Sequence, residues 1–262
     1  MNVAPIGVFD SGVGGLSVIR AIAELMPEES LLYVADTAHC PYGARPIDYL
    51  TERALCITAY LQAQGAKAIV VACNTATVAT VATLRERFSL PIIGIEPAIR
   101  PAAANTRSGV IGVLATAATL GSAHLAALIE RHTDYHEVLT SACPGWVEAV
   151  EAGDLESAAT QALVQAHVQP LLDAGADTLV LGCTHFPFLR PLIEAVCGPD
   201  VHILETGMPV ARQLQRQLLS RHLLAHAHSP QYRFLSTANP AAQSDFVRHF
   251  WPGVGELGYL SI

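Results

Sequence analysis

A single lysine, Lys67, is all the ε-amino chemistry this chain has, and its 15 basic residues are outnumbered by 23 acidic ones. With a net charge of −8 there is no basic face to neutralise phosphates, which argues against nucleic acid or an anionic membrane as a partner. A pyridoxal phosphate enzyme needs a Schiff-base lysine, and Lys67 lies before a β-rich run, away from the motifs described below. Hydrophobic residues reach 51%, yet no apolar run approaches the length of about 20 residues that a bilayer core requires. The N-terminal stretch Met1-Asn2-Val3-Ala4-Pro5 has neither the basic region nor the long apolar segment of a signal peptide, so a cytoplasmic protein is expected. The six cysteines form no CxxC pair and no dense framework, which leaves free thiols and no zinc-like ligand spacing.

What is present is an alternation of short apolar runs with longer helical patterns. Strands are expected over 6–9, 31–35, 68–72, 109–114, 135–140, 178–181 and 202–204, with helices from about Leu16, after Pro46 and after the run at 68–72. This is the βαβ signature of mostly parallel sheets with helices on both faces. Within 262 residues it fits two α/β domains, 1–96 with 207–262 and 97–206, the chain crossing at Glu96-Pro97 and Thr206-Gly207. The tail from Tyr232 reads as a strand, a helix and a closing segment on the first domain.

An internal echo sharpens this. The run from Gly65 through Ala72-Cys73-Asn74-Thr75 is answered by the run from Gly175 through Gly182-Cys183-Thr184-His185, and Ile6-Gly7-Val8-Phe9 is answered by Ile111-Gly112-Val113-Leu114. Two pseudo-symmetric domains with their strand ends facing each other would set Cys73 and Cys183 across one interdomain cleft.

Buried cysteines are usually apolar filler, the reading given to Cys56, Cys143 and Cys197. Cys73 and Cys183 differ, because each closes a strand, precedes hydroxyl or amide side chains and stands before an expected helix N-terminus, which stabilises a thiolate. Cys183 with His185 alone would suit acyl transfer. The duplicated thiol suits instead a reaction that takes a proton from one face of a carbon and returns one to the other. Asp10-Ser11-Gly12-Val13-Gly14-Gly15 follows the first strand, and Asp36 closes the second where a ribose-binding acid would lie. A dehydrogenase fingerprint fails, however, because Ser17 replaces its third glycine. His222, His226 and His228 cluster near a helix end and read as solvated or structural.

Phe9-Asp10-Ser11-Gly12-Val13-Gly14-Gly15-Leu16, Pro41-Tyr42-Gly43, Ala72-Cys73-Asn74-Thr75-Ala76 and Leu181-Gly182-Cys183-Thr184-His185 occur in that order. Together they resemble the glutamate racemases of the PLP-independent aspartate/glutamate racemase superfamily, from end to end of the chain. The resemblance implies inversion of L- and D-glutamate without a cofactor or metal, with Cys73 and Cys183 as proton donor and acceptor and with Asp10 and His185 tuning them. It places Asp10, Ser11, Tyr42, Gly43, Asn74, Thr75, Thr184 and His185 around the amino acid. Thr116 and Thr119 match a Gly-Thr-x-x-Thr pattern in which Ala115 replaces the glycine, and Glu151 aligns with an acid near the second cysteine, although it also reads as a solvated helix charge. Phe186 stands where tyrosine is commoner and Ser17 where threonine is, and His39 and Cys40 fall in a variable segment. The family further implies supply of D-glutamate to peptidoglycan synthesis and a homodimer. Aspartate racemase and a noncatalytic amino-acid-binding protein are the competing readings.

Overall fold

The computed structural model describes residues 3–133, 135–226, 229–252 and 256–262. Met1, Asn2 and His228, which entered the sequence reading, lie outside the described residues. The chain divides into two compact units, Met1–Ile95 with Gly207–Ile262, and Glu96–Thr206.

The first unit begins with β1 (Ile6–Asp10), α1 (Leu16–Leu25), β2 (Leu31–Ala35), α2 (Ile47–Ala63), β3 (Ala68–Val71), α3 (Asn74–Arg87) and β4 (Ile92–Gly94). The second holds α4 (Ile99–Asn105), β5 (Val110–Ala115), α5 (Ala117–Leu120), α6 (Ala123–His132), β6 (Glu137–Ala142), α7 (Trp146–Glu151), α8 (Ala158–Asp173), β7 (Thr178–Leu181), α9 (Arg190–Cys197) and β8 (His202–Leu204). The chain then returns to the first unit through α10 (Gly207–Ser220), β9 (Tyr232–Ser236), α11 (Ala241–Phe250) and β10 (Gly258–Tyr259). None of the described helices is long and apolar enough to cross a membrane.

In the first unit the sheet order is β10-β9-β2-β1-β3-β4, in the second β6-β5-β7-β8, and among the described residues every strand pairing is parallel. β1, β2, β3 and β7 are buried along their whole length, as apolar strands covered on both faces must be. α1 turns Leu16, Val18, Ile19 and Ile22 inward and packs on α10, whose buried face carries Val210, Ala211, Leu214 and Leu218.

The echo in the sequence is an echo in space. The order β2-β1-β3-β4 repeats as β6-β5-β7-β8, and Ile6 faces Ala68 just as Ile111 faces Thr178. The ladder continues one step in each copy, through Ala72 N–H to Phe9 O and Gly182 N–H to Leu114 O. Gly7 and Gly112 are equivalent too. A Cβ at Gly7 would stand 2.9 Å from Ile69 Cδ1 and 3.1 Å from Leu61 Cβ, and one at Gly112 would stand 2.5 Å from Leu179 Cδ2 and 2.9 Å from Leu171 Cδ1. Each glycine lets a helix, α2 or α8, lie close on the sheet.

Three details differ from expectation. β4 was not anticipated, because three residues after Pro91 are too few to show a period. β6 begins at Glu137 rather than Tyr135, because His136 N–H donates to Thr133 O in a turn that leaves Tyr135 95% exposed. Cys56 is exposed rather than buried, since the inward residues of α2 recur at Leu50, Arg53, Ala54, Ile57 and Leu61 and it lies just off that stripe.

Candidate active site

β1 and β3 are neighbours, so their carboxyl ends deliver Asp10 and Cys73 side by side. Asp10 and Ser11 are buried, and the chain passes from them through Gly12 into a 3-10 turn, Val13–Gly15, and then α1. Tyr33 donates its hydroxyl to Gly12 O, and a Cβ at Gly15 would stand 2.7 Å from that hydroxyl and 2.9 Å from Asp10 Cβ. Glycine at 15 is therefore what allows the turn to close over Asp10. Cys73 caps α3: its Sγ accepts the Ala76 N–H at 3.4 Å and lies 3.8 Å from Ser11 Oγ. A backbone donor and a helix N-terminus both favour negative charge on that sulfur.

Asn74 and Thr75 follow, both buried. The Asn74 amide is 4% exposed, and neither its Oδ1 nor its Nδ2 has a hydrogen-bond partner among the described residues. An unmet buried amide costs about 1–3 kcal/mol, a debt a polar ligand can cancel. The Tyr42–Ala44 turn brings Gly43 to a partly exposed position, while the Tyr42 ring is buried and its hydroxyl donates to Asp36 Oδ2 at 2.5 Å. Burial, with Asp36 beside it, pushes the Tyr42 phenol far above its ordinary range, so the proton stays on oxygen.

In the second unit β5 and β7 are the equivalent neighbours. Thr116 caps α5, its Oγ1 accepting the Thr119 N–H at 3.2 Å and lying 3.0 Å from Thr119 Oγ1. Cys183, Thr184 and His185 are buried at the end of β7. His185 Nε2 stands 2.6 Å from Glu151 Oε1, and His185 Nδ1 stands 3.8 Å from Cys183 Sγ. A carboxylate can only accept, so it fixes the imidazole proton on Nε2 and leaves the Nδ1 lone pair toward sulfur. Glu151 is thus held by an internal partner rather than standing as a solvated helix charge.

The structure corrects one sequence inference here. No α-helix begins directly after Cys183: a 3-10 turn, Phe186–Leu189, intervenes and α9 starts only at Arg190. Pro187 and Pro191 each stand in a first turn, and one continuous helix would clash Pro191 with the carbonyl four residues earlier. Asp36, the residue a ribose-binding reading would use, is wholly buried and already accepts four hydrogen bonds, from Arg53 Nε and Nη2, the Tyr42 hydroxyl and the Thr237 hydroxyl. No acceptor is left for a ribose. Sequence reasoning missed the Arg53 and Thr237 partners. Its one available signal was that an acid closing an apolar strand must find donors, and Arg53 shares the inward stripe of α2.

Burial pushes the Cys143 thiol up to about 12 and the Cys197 thiol up to about 11, so both stay protonated at neutral pH. Lys67 is buried and ion-paired with Glu29 at the amino end of β3, the end opposite Cys73.

A family model described as Asp/Glu/hydantoin racemase matches residues 6–213. The glutamate racemase of Pseudomonas putida (strain W619) is 53% identical over 260 residues, covering 99% of this chain and 98% of that relative. A solved glutamate racemase isoform from Bacillus anthracis aligns with a TM-score of 0.88 at 33% identity, covering 100% of this chain and 98% of that one. Glutamate racemase from Escherichia coli, solved with L-glutamate and the activator UDP-MurNAc-ala, aligns with a TM-score of 0.87 at 30% identity over 98% of each chain. A match of this length and identity, on a fold that repeats one thiol-bearing strand end in each half, means that this chain belongs to the Asp/Glu/hydantoin racemase family and is an amino-acid racemase.

Proposed function

We propose that this enzyme interconverts L- and D-glutamate by a two-base proton transfer between Cys73 and Cys183, with no cofactor. The observation that carries the proposal is the equivalence of the two thiols: each follows the neighbour of its sheet's central strand in the same register, and each has its own polar neighbour, Ser11 or the His185–Glu151 pair. Glutamate is preferred to aspartate because relatives matching nearly the whole chain are glutamate racemases.

In the L to D direction the Cys183 thiolate takes the α-proton, so a Cα–H bond breaks and an S–H bond forms. The electron pair stays on Cα, and the Cys73 thiol then gives its proton to the opposite face. The reverse direction exchanges the two roles. Both thiols must address one α-carbon from opposite sides, which is the geometric content of the proposal. His185 Nδ1, aimed at Cys183 and backed by Glu151, can hold or return the thiol proton; Asp10 and Ser11 serve Cys73 in the same sense. Asn74, Thr75, Ser11, Thr184, Thr116 and Thr119, with the backbone of Tyr42 and Gly43, hold the amino acid and stabilise charge that develops on its carboxylate. The product would supply peptidoglycan synthesis in the cytoplasm.

Protein dialysed exhaustively against a chelator is expected to bring L-glutamate to the racemate, followed by loss of circular dichroism, with little action on L-aspartate. Because one thiol must be ionised and the other protonated, the rate should rise and then fall between about pH 6 and 10, a bell that belongs to the coupled pair. A flat profile, or activity that returns only with added pyridoxal phosphate or metal, would count against the proposal.

A further inference from the structure

We infer that Asp36 is a positioning residue that sets the Tyr42–Ala44 turn for substrate binding, and that Thr237, from the C-terminal return of the chain, holds it in place. The inference rests on the reading above, in which the backbone of Tyr42 and Gly43 meets the amino acid.

Asp36 follows β2 and lies fully buried, and its donors come from three different parts of the first unit. Arg53 of α2 reaches it with Nη2 to Oδ1 at 2.7 Å and Nε to Oδ2 at 3.0 Å. The Thr237 hydroxyl donates to Oδ1 at 2.9 Å, and the Tyr42 hydroxyl donates to Oδ2. Thr237 also works in the other direction, since its Oγ1 accepts the Ala38 N–H at 3.1 Å. The segment from Asp36 to Tyr42 is thus fastened at Ala38 by Thr237 and at Tyr42 by the carboxylate.

This arrangement fixes the turn through a side chain while leaving its backbone available. The turn is a single 3-10 turn of three residues, too short to hold its own shape, and it closes through Arg45 N–H donating to Tyr42 O. A charge-assisted bond to a buried, bidentate-paired carboxylate supplies the rigidity. Two titratable side chains face the Asp36 carboxylate as possible cations. The guanidinium of Arg53 is one, and it also donates from Nη1 to Ile262 O at 3.0 Å. His39 stands with Nε2 3.9 Å from Oδ1, and burial lowers its affinity for a proton, so it adds no second cation at neutral pH. The carboxylate is saturated with donors and has no free lone pair to abstract a substrate proton, which separates a positioning role from a catalytic one.

The test compares Tyr42→Phe, which keeps the buried ring and loses the hydroxyl, with Thr237→Val and Thr237→Ser, each measured for KM and kcat with both glutamate enantiomers, for the pH profile and for thermal unfolding. Each variant loses one hydrogen bond to the carboxylate, and Thr237→Val loses the Ala38 N–H bond as well; this predicts a KM raised about tenfold for both enantiomers in Tyr42→Phe and at least as much in Thr237→Val, with kcat and both limbs of the pH profile where the unaltered protein has them. Thr237→Ser, which keeps the hydroxyl, should restore the KM. A KM within about twofold of the unaltered protein in both hydroxyl-lacking variants overturns the inference, and so does a lower kcat with a displaced pH limb, which would put Asp36 in the proton path. If Tyr42→Phe does not fold, the valine and serine variants at Thr237 decide. An unaltered protein that racemises glutamate while KM stays put in the variants sinks this inference alone; one that leaves glutamate untouched sinks the proposed function and this inference together.

Discussion

Serine in place of either Cys73 or Cys183 is expected to lower racemisation by about a thousandfold or more in both directions. A hydroxyl still fits each site, but it is a far weaker acid and a far poorer base than a thiol of ordinary pKa about 8.5. The equilibrium constant between mirror-image amino acids is one, so kcat/KM must fall equally from either side in each variant. That symmetry hides which thiol serves which enantiomer. Elimination from a glutamate analogue with a leaving group at the β-carbon exposes it, because only the first deprotonation is needed. Cys73→Ser should keep elimination from the L analogue and lose it from the D analogue, and Cys183→Ser should show the mirror pattern. Each exchange removes little volume, so circular dichroism melts should show both variants folded. Variants that lose or keep both eliminations alike would break the assignment of one thiol to each face.

The second large effect is one of stability. Lys67→Met should destabilise the protein by about 3–5 kcal/mol, because it leaves the Glu29 carboxylate buried without its cation. The two side chains are 3% and 2% exposed and stand 2.6 Å apart, so water cannot compensate. Glu29 Oε1 also accepts the Ala225 N–H at 2.8 Å, tying the segment after α10 to the same point. Lys67→Met combined with Glu29→Gln keeps that acceptor while removing both charges, and should recover most of the loss in denaturant titrations. Lys67 precedes β3 and Cys73 follows it, about 20 Å apart along an extended strand, so the folded fraction of Lys67→Met should racemise at the normal rate. An unchanged unfolding midpoint would show that the pair is solvated.

The strand cores were legible in the sequence because parallel strands covered on both faces are apolar without interruption, as in Ala68-Ile69-Val70-Val71 and Leu179-Val180-Leu181. Their duplication carried the register as well, which is why Ile6 opposite Ala68 foretells Ile111 opposite Thr178. What stayed hidden were contacts between residues far apart in the chain. Asp36 finds Thr237 201 positions away, and Glu29 finds Ala225 196 positions away, and no local period records either. Glu151 meets His185 34 positions on, so only the tertiary fold separates that pair from a solvated charge. The helix expected at Cys183 failed for a local reason, the two prolines that follow, and that one could have been read in advance.

Isotope exchange tests two-base inversion most directly. L-Glutamate is incubated with the enzyme in D2O, and both enantiomers are separated at low conversion and weighed for deuterium at Cα. If one thiol removes the proton and the other, equilibrated with solvent, delivers from the opposite face, the D-glutamate formed carries deuterium and the unreacted L-glutamate carries none. D-glutamate that retains the original proton, or deuterium appearing equally in both enantiomers from the start, would contradict the account.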